Sequence, residues 1–188
     1  MVVRGGRSAP MVKTLLVPEA WMGHKDMPSA LQDMYSYCNS VMEPWDGPAA
    51  LAATDGRWVI GGMDRNGLRP MRYTITGDGM LVVGSETGMV RVDESTVVAK
   101  GRVKPGEMLA VDTASGTLLA PADVDNLLKT RKPYRQWLAQ NTKYLKSTYA
   151  KDVASSAPLA PDELAVYEKL FQVSFEERDQ VLRILAEG

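Results

Sequence analysis

Residues 42–70 constrain this chain most. They read Met-Glu-Pro-Trp-Asp-Gly-Pro-Ala-Ala-Leu-Ala-Ala-Thr-Asp-Gly-Arg-Trp-Val-Ile-Gly-Gly-Met-Asp-Arg-Asn-Gly-Leu-Arg-Pro. Two apolar runs, 49–53 and 58–63, flank Asp55-Gly56. An Asp-Gly pair lets both central residues of a tight turn take positive φ, so the pattern predicts a hairpin. A second turn is expected at Asn66-Gly67, and Arg69-Pro70 leads into a strand over 71–76. Pro70 lacks an N–H and fits the start of a strand better than its middle. The expectation is a meander with a rigid corner at Asp64, Arg65, Asn66, Gly67, Leu68, Arg69 and Pro70. One aspartate and two arginines would brace that corner through charge-assisted hydrogen bonds.

The rest of the chain sets few further limits. Its 188 residues suffice for one domain, or for most of one and part of another. A formal charge of -1 gives no global pull toward nucleic acid or an acidic membrane, and neither is expected as a partner. No apolar run approaches the length of a membrane span. The single cysteine, Cys38, excludes an internal disulfide and makes a reducing compartment the simpler expectation.

Read in order, Ser8-Ala9-Pro10 opens a short helix, with the serine as its cap. A second helix is expected over 28–42, with Leu31, Met34, Tyr35, Cys38, Val41 and Met42 on one stripe. Glu43-Pro44 stops it. The β region runs from Ala49 to about Leu119. Asp78-Gly79 turns into a strand over 80–83. Val90, Val92, Val97 and Val98 suggest short edge strands. Strands at 108–111 and 117–119 close the sheet. Helices follow over 121–129, 134–149 and from Pro161, with Trp137, Leu138, Tyr144 and Leu145 as anchors of the middle one. Residues 155–158 form the best linker. Ser174 and Glu177 have the spacing of a capping box. The fold class is α+β.

Few side chains promise chemistry. His24 is the only histidine and falls in a loop, where a solvated ring is the plainer reading. Cys38 lies on an apolar stripe and reads as a core thiol. Asn66-Gly67 has the form of an oxyanion-binding pair, yet strand patterns flank it closely and favour a turn. Asp64, Arg65 and Arg69 suit an anion site less well than a structural corner. The acidic pairs Asp93-Glu94 and Asp162-Glu163 read as turns and helix starts. Lys129, Arg131, Lys132 and Arg135 lie beside Tyr134 and Trp137, a cluster able to touch phosphate but more simply a solvated helix face. From the residues alone, this is an α+β chain with no self-contained active site.

Several long strings add to this reading. Val3-Arg4-Gly5-Gly6-Arg7-Ser8, Val17-Pro18-Glu19-Ala20-Trp21, Met42-Glu43-Pro44-Trp45-Asp46-Gly47-Pro48 and Asp64-Arg65-Asn66-Gly67-Leu68-Arg69-Pro70 occur in that order. Lys100-Gly101-Arg102-Val103-Lys104-Pro105-Gly106-Glu107-Met108 and Pro133-Tyr134-Arg135-Gln136-Trp137-Leu138 follow. Together they resemble the glutaminase domain of the glutamate synthase large subunit, over roughly residues 1–145. The remainder resembles the start of that family's central domain.

The resemblance implies a class II glutamine amidotransferase part of the N-terminal-nucleophile type, a four-layer sandwich with antiparallel sheets between helices. It implies a parent that hydrolyses glutamine and passes the ammonia reductively to 2-oxoglutarate, making glutamate. FMN and an iron–sulfur cluster are implied for the parent, and no cofactor for this chain. The implied partner is the rest of the large subunit, in the cytoplasm or a plastid. The implied layout is a glutaminase portion over 1–125, a helical connector over 126–158 and the start of the central domain over 159–188. The family's nucleophilic cysteine, its substrate-binding arginine and its oxyanion segment would all precede Met1. Cys38 does not match that nucleophile, which uses its own α-amine as base. No catalytic, cofactor or metal residue is carried over, and the isolated chain is expected to lack glutaminase activity. Alternatives are a non-catalytic interaction domain, or a subunit completing an amidotransferase in trans.

Overall fold

The computed structural model describes residues 1–143 and 159–187. The chain forms two compact units, Met1–Thr142 and Lys143–Gly188. The first has the α+β architecture expected, with two antiparallel sheets.

Three helices precede the sheets. α1 (Val2–Gly5) is a single turn that the sequence did not suggest. α2 (Ala9–Leu16) buries Ala9, Pro10, Met11, Lys13, Thr14 and Leu15. α3 (Ser29–Val41) buries Leu31, Met34, Tyr35 and Cys38, the central part of the expected stripe, while Val41 at its end is exposed. Full burial of one such aliphatic side chain contributes about 1.5–3 kcal/mol.

β1 (Ala50–Thr54) and β2 (Trp58–Met63) form the expected antiparallel hairpin. Its turn differs from the two-residue form, because only Gly56 takes positive φ, at 92°. The Asp55 carboxylate instead accepts from the N–H groups of Arg57 (3.0 Å) and Trp58 (2.7 Å). It also accepts the Ala9 N–H at 2.7 Å. Asp55 thus caps α2 from across the fold, the role expected of Ser8, whose hydroxyl makes no capping bond.

The expected meander does not form. β2 joins β6 (Met108–Asp112) and β7 (Thr117–Leu119) in a sheet of order β1-β2-β6-β7. β3 (Arg72–Thr76) pairs instead with β4 (Leu81–Gly84) and β5 (Val97–Arg102) in a second sheet of order β4-β3-β5. The corner between β2 and β3 therefore carries the chain from one sheet to the other. Val90 and Val92 lie in a loop rather than a strand, whereas Val97 and Val98 begin β5, an edge.

α2, α3 and α4 (Pro121–Lys129) cover one face of the first sheet around Ile60, Met108 and Ala110. Its other face meets the second sheet around Met63, Leu109, Met71 and Val103. The two sheets approach closely at Gly61, where a Cβ would stand 2.7 Å from Val83 Cγ1. Among the described residues the order of layers is helices, sheet, sheet.

The helix expected over 134–149 stops at Asn141: α5 is Tyr134–Asn141, closed by the Thr142 N–H on the Leu138 carbonyl. Tyr144, Leu145 and the linker at 155–158 lie outside the described residues. α4 runs unbroken through residue 126, and α5 packs on α3 inside the first unit.

In the second unit, a helix spans Pro161–Leu170. The Ser174–Glu177 capping box forms, with reciprocal bonds of 3.1 and 3.2 Å. A π-helical turn (Glu177–Leu182) then leads into Arg183–Glu187. Phe171, Phe175, Ile184 and Leu185 are all exposed.

Candidate functional site

The corner after β2 is built around Asp64, which is fully buried. Its carboxylate accepts four backbone N–H groups: Ala49 (3.1 Å), Asn66 (3.1 Å), Leu68 (2.9 Å) and Arg69 (3.0 Å). Its main chain is engaged too, donating to the Ala49 carbonyl and accepting from Gly67 and Gly106. Burial opposes the charge, but the four N–H groups outweigh it and hold the Asp64 pKa below the usual carboxylate value.

Asp64 is thus held by backbone N–H groups of the surrounding loop. Among the described residues neither Arg65 nor Arg69 forms an ion pair with Asp64. Arg69 instead reaches Ser85 Oγ at 3.3 Å. Backbone N–H groups converge on a point that no side chain has to cross, so they take the place of guanidinium. Asn66 donates from its amide to Asp46 at 3.1 Å, tying the corner to the preceding loop. Gly67 has φ of 68°, and a Cβ there would stand 2.7 Å from Pro105. That is a turn, not a pair aimed at open space.

A second polar cluster adjoins this corner through Gly106. The Gly106 N–H meets the Asp64 carbonyl at 2.8 Å, and its carbonyl accepts from the Lys13 ammonium. Lys13 is 4% exposed, and its stem lies over Gly62, where a Cβ would come within 3.0 Å of Lys13 Cε. Around it stand Glu19, Asp125, Asp64 and Glu107. Burial lowers the Lys13 pKa to about 8, although all four carboxylates pull it upward. Burial raises Glu19, against the pull of Lys13, and raises Asp125 to about 6 with help from Glu19 and Glu107. Tyr35 pulls Glu19 downward more weakly.

Sequence reasoning missed Lys13, Glu19 and Asp125. The available signal was a lysine inside the apolar face of an eight-residue helix, between Met11 and Leu15. The cluster gathers one ammonium among four carboxylates, with burial working against the charges of Lys13, Glu19 and Asp125.

The other candidates have plain settings. Cys38 is completely buried, and burial pushes its thiol up to about 12 despite the nearby Arg7. His24 is exposed in a loop. Asp93 caps the 3-10 turn Glu94–Thr96, and Glu94 pairs with Lys100 at 2.6 Å. Arg135 pairs with Asp33 at 2.8 Å. A cysteine-ligated iron–sulfur cluster takes several thiolates. This chain has one cysteine, so its residues do not fit such a group. Among the described residues no set of three His, Cys, Asp or Glu side chains is placed to hold a metal ion.

The "Glutamate synthase [NADPH] large chain" of Azospirillum brasilense is 50% identical over 189 residues, covering 100% of this chain and 12% of that protein. A chloroplastic "Ferredoxin-dependent glutamate synthase" of Oryza sativa is 37% identical over 99% of this chain and 12% of its own length. The "Glutamate synthase [NADPH] large chain" of Bacillus subtilis is 38% identical over 73% of this chain and 9% of its own. The chain thus spans about 12% or less of the length of these curated relatives. The model of the family described as "Glutamine amidotransferases class-II" matches residues 1–137, the stretch holding both sheets, the Asp64 corner and the Lys13 cluster, and the chain belongs to that family.

Proposed function

We propose that this chain works as part of a glutamate synthase large chain, as scaffold of its glutamine-hydrolysing domain. The observation that carries the reading is the 50% identity to such a large chain along the whole sequence. In this reading the first unit positions a glutamine site from beneath, and the Asp64 corner fixes the crossing between its two sheets. The nucleophile lies elsewhere, since Cys38 is buried, protonated and inside the chain, without a free α-amine to act as its base. Residues from 159 onward belong to the region that follows the amidotransferase part.

The parent would hydrolyse glutamine and pass ammonia reductively to 2-oxoglutarate. Its FMN and iron–sulfur centre would be held by other regions, and its other large-chain regions are the partner of this one. The setting would be cytoplasm or plastid; among the described residues no helix is long and apolar enough to cross a membrane.

The test is ammonia release from glutamine by the purified chain, alone and mixed with the matching N-terminal half of a glutamate synthase glutaminase domain. The expected result is no release from the chain alone and release from the mixture. Hydrolysis by the chain alone would overturn the scaffold reading and require a nucleophile within these residues. A well-folded chain that neither hydrolyses glutamine nor associates with the other half would favour a separate, non-catalytic role.

A further inference from the structure

A cavity of about 310 Å³ opens beside the turn that follows α1, against α3 and the start of α5. Its polar lining is Arg7, Ser8, Arg131 and Lys132, and its rings are Tyr37, Tyr134 and Trp137. No carboxylate lines it. The basic cluster in the sequence divides here. Arg135 is neutralised by Asp33, whereas Arg7, Arg131 and Lys132 have no carboxylate partner among the described residues.

The lining is held in place. Arg131 donates to Ser8 Oγ at 2.9 Å, joining two segments 123 positions apart and fixing its guanidinium over the cavity. The rings lock one another: Tyr37 lies 5.1 Å from Tyr134 and 5.4 Å from Trp137, and Tyr134 meets Trp137 edge-on at 6.0 Å. Tyr134 itself is 3% exposed. Burial raises its hydroxyl to about 12 while Arg131 and Arg7 pull it down, so both cations act at the same point.

We propose that this cavity binds a small aromatic oxyanion, its phosphate or carboxylate held by Arg7, Arg131 and Lys132 and its ring laid against Tyr37 and Trp137. Guanidinium groups suit such oxygens because their N–H pairs match them two at a time. The volume is at the lower end of small-molecule sites, about 300–1,000 Å³, and is ample for a single ring with its anionic group. This site lies wholly within the first unit and does not depend on the parent assigned above.

The experiment is calorimetric titration of the full chain with phenyl phosphate, benzoate, inorganic phosphate and benzyl alcohol. Saturable binding of phenyl phosphate or benzoate is expected, with inorganic phosphate about ten-fold weaker and benzyl alcohol silent. The tighter of the two aromatic anions identifies the oxyanion. Arg7→Gln and Arg131→Gln should each weaken binding about ten-fold or more, and Lys129→Gln, outside the cavity, should not. The unaltered chain provides a second reading: bound phenyl phosphate should shield Arg7 and Arg131 from phenylglyoxal, read by mass spectrometry. No saturable binding by any anion up to about 10 mM would overturn the proposal. So would unshielded arginines, or folded arginine variants that bind as the parent chain does.

Discussion

The carbonyl of Gly106 accepts the buried ammonium of Lys13, 93 positions earlier in the chain. Since the N–H of Gly106 also binds the Asp64 carbonyl, one peptide segment joins the helical layer to the crossing between the sheets. Replacing Lys13 by Met should therefore cost more than an ordinary surface exchange. The Gly106 carbonyl would lose its ammonium donor, and leaving a buried acceptor unsatisfied costs about 1–3 kcal/mol. About 2 kcal/mol is expected for Lys13→Met, measured by urea unfolding. A loss below about 0.5 kcal/mol would show that the ammonium is dispensable.

The same cluster shapes the dependence of stability on pH. Lys13 titrates near 8 when folded and near 10.5 when unfolded. Between those values the unfolded chain binds more protons, so this group makes stability rise with pH across that window. Asp125 behaves oppositely: its folded pKa of about 6 exceeds 3.8, so its contribution is present below about 3.8 and is lost as pH rises to 6. Glu19 is raised in the same sense. A shallow minimum between about pH 6 and 8 is expected from these groups together. Unfolding free energies measured from pH 4 to about 10 should lose their alkaline rise in Lys13→Met and part of their acid-side fall in Asp125→Asn.

Asp64→Asn tests the corner. The new amide turns one acceptor toward the N–H groups into a donor, leaving at least one of them unmatched in a dry site. A cost of about 3 kcal/mol is expected, combining a lost charged hydrogen bond with an unpaired group. Hydrogen exchange at the Leu68 and Arg69 amides should accelerate most. The carboxyl sits below 3.8 when folded, so its contribution persists above that value and disappears as pH falls further. Unchanged exchange at both amides would contradict the bonding described here.

Asp55 and Ser8 offer a direct comparison. Asp55→Ala removes the N–H acceptor of α2 together with two turn bonds, and should cost about 1–2 kcal/mol. Ser8→Ala should cost less than about 0.5 kcal/mol, since its hydroxyl caps nothing. Thermal unfolding of the two variants decides the order, and a larger loss at Ser8 would restore the serine as the cap.

Gly106 and Gly56 separate conformational strain from crowding. Both have positive φ, but a Cβ on Gly106 would overlap Glu19, while Gly56 faces open space. Gly56→Ala should cost about 1–2 kcal/mol, the penalty of a left-handed backbone. Gly106→Ala should leave little soluble folded chain, measurable as the yield of folded protein.

Local features were legible and long-range ones were not. The α3 stripe follows from a repeat of 3.6, and the hairpin from Asp55-Gly56 between two apolar runs, both of which neighbouring residues determine. α4 was placed at its true bounds because Pro121 opens it and Thr130 closes it. Assigning β3 to the second sheet required knowing that β6 would take its place beside β2, a choice made 50 residues later by pairing such as Ile60 with Ala110. The backbone partners of Asp64 were not legible, because adjacent arginines suggest ion pairs while backbone N–H groups have no signature in a sequence. Lys13 drew no notice, because lysines are seldom buried. Cys38 read as a core thiol from its stripe alone, and it is one.

Gly61 has no side chain, and Val83 fills the space one would occupy. The separation of the sheets at that point is thus decided by a single valine, and the two positions are not free to drift independently. A relative with alanine at the first should carry alanine or glycine at the second; one that keeps valine there must keep the glycine.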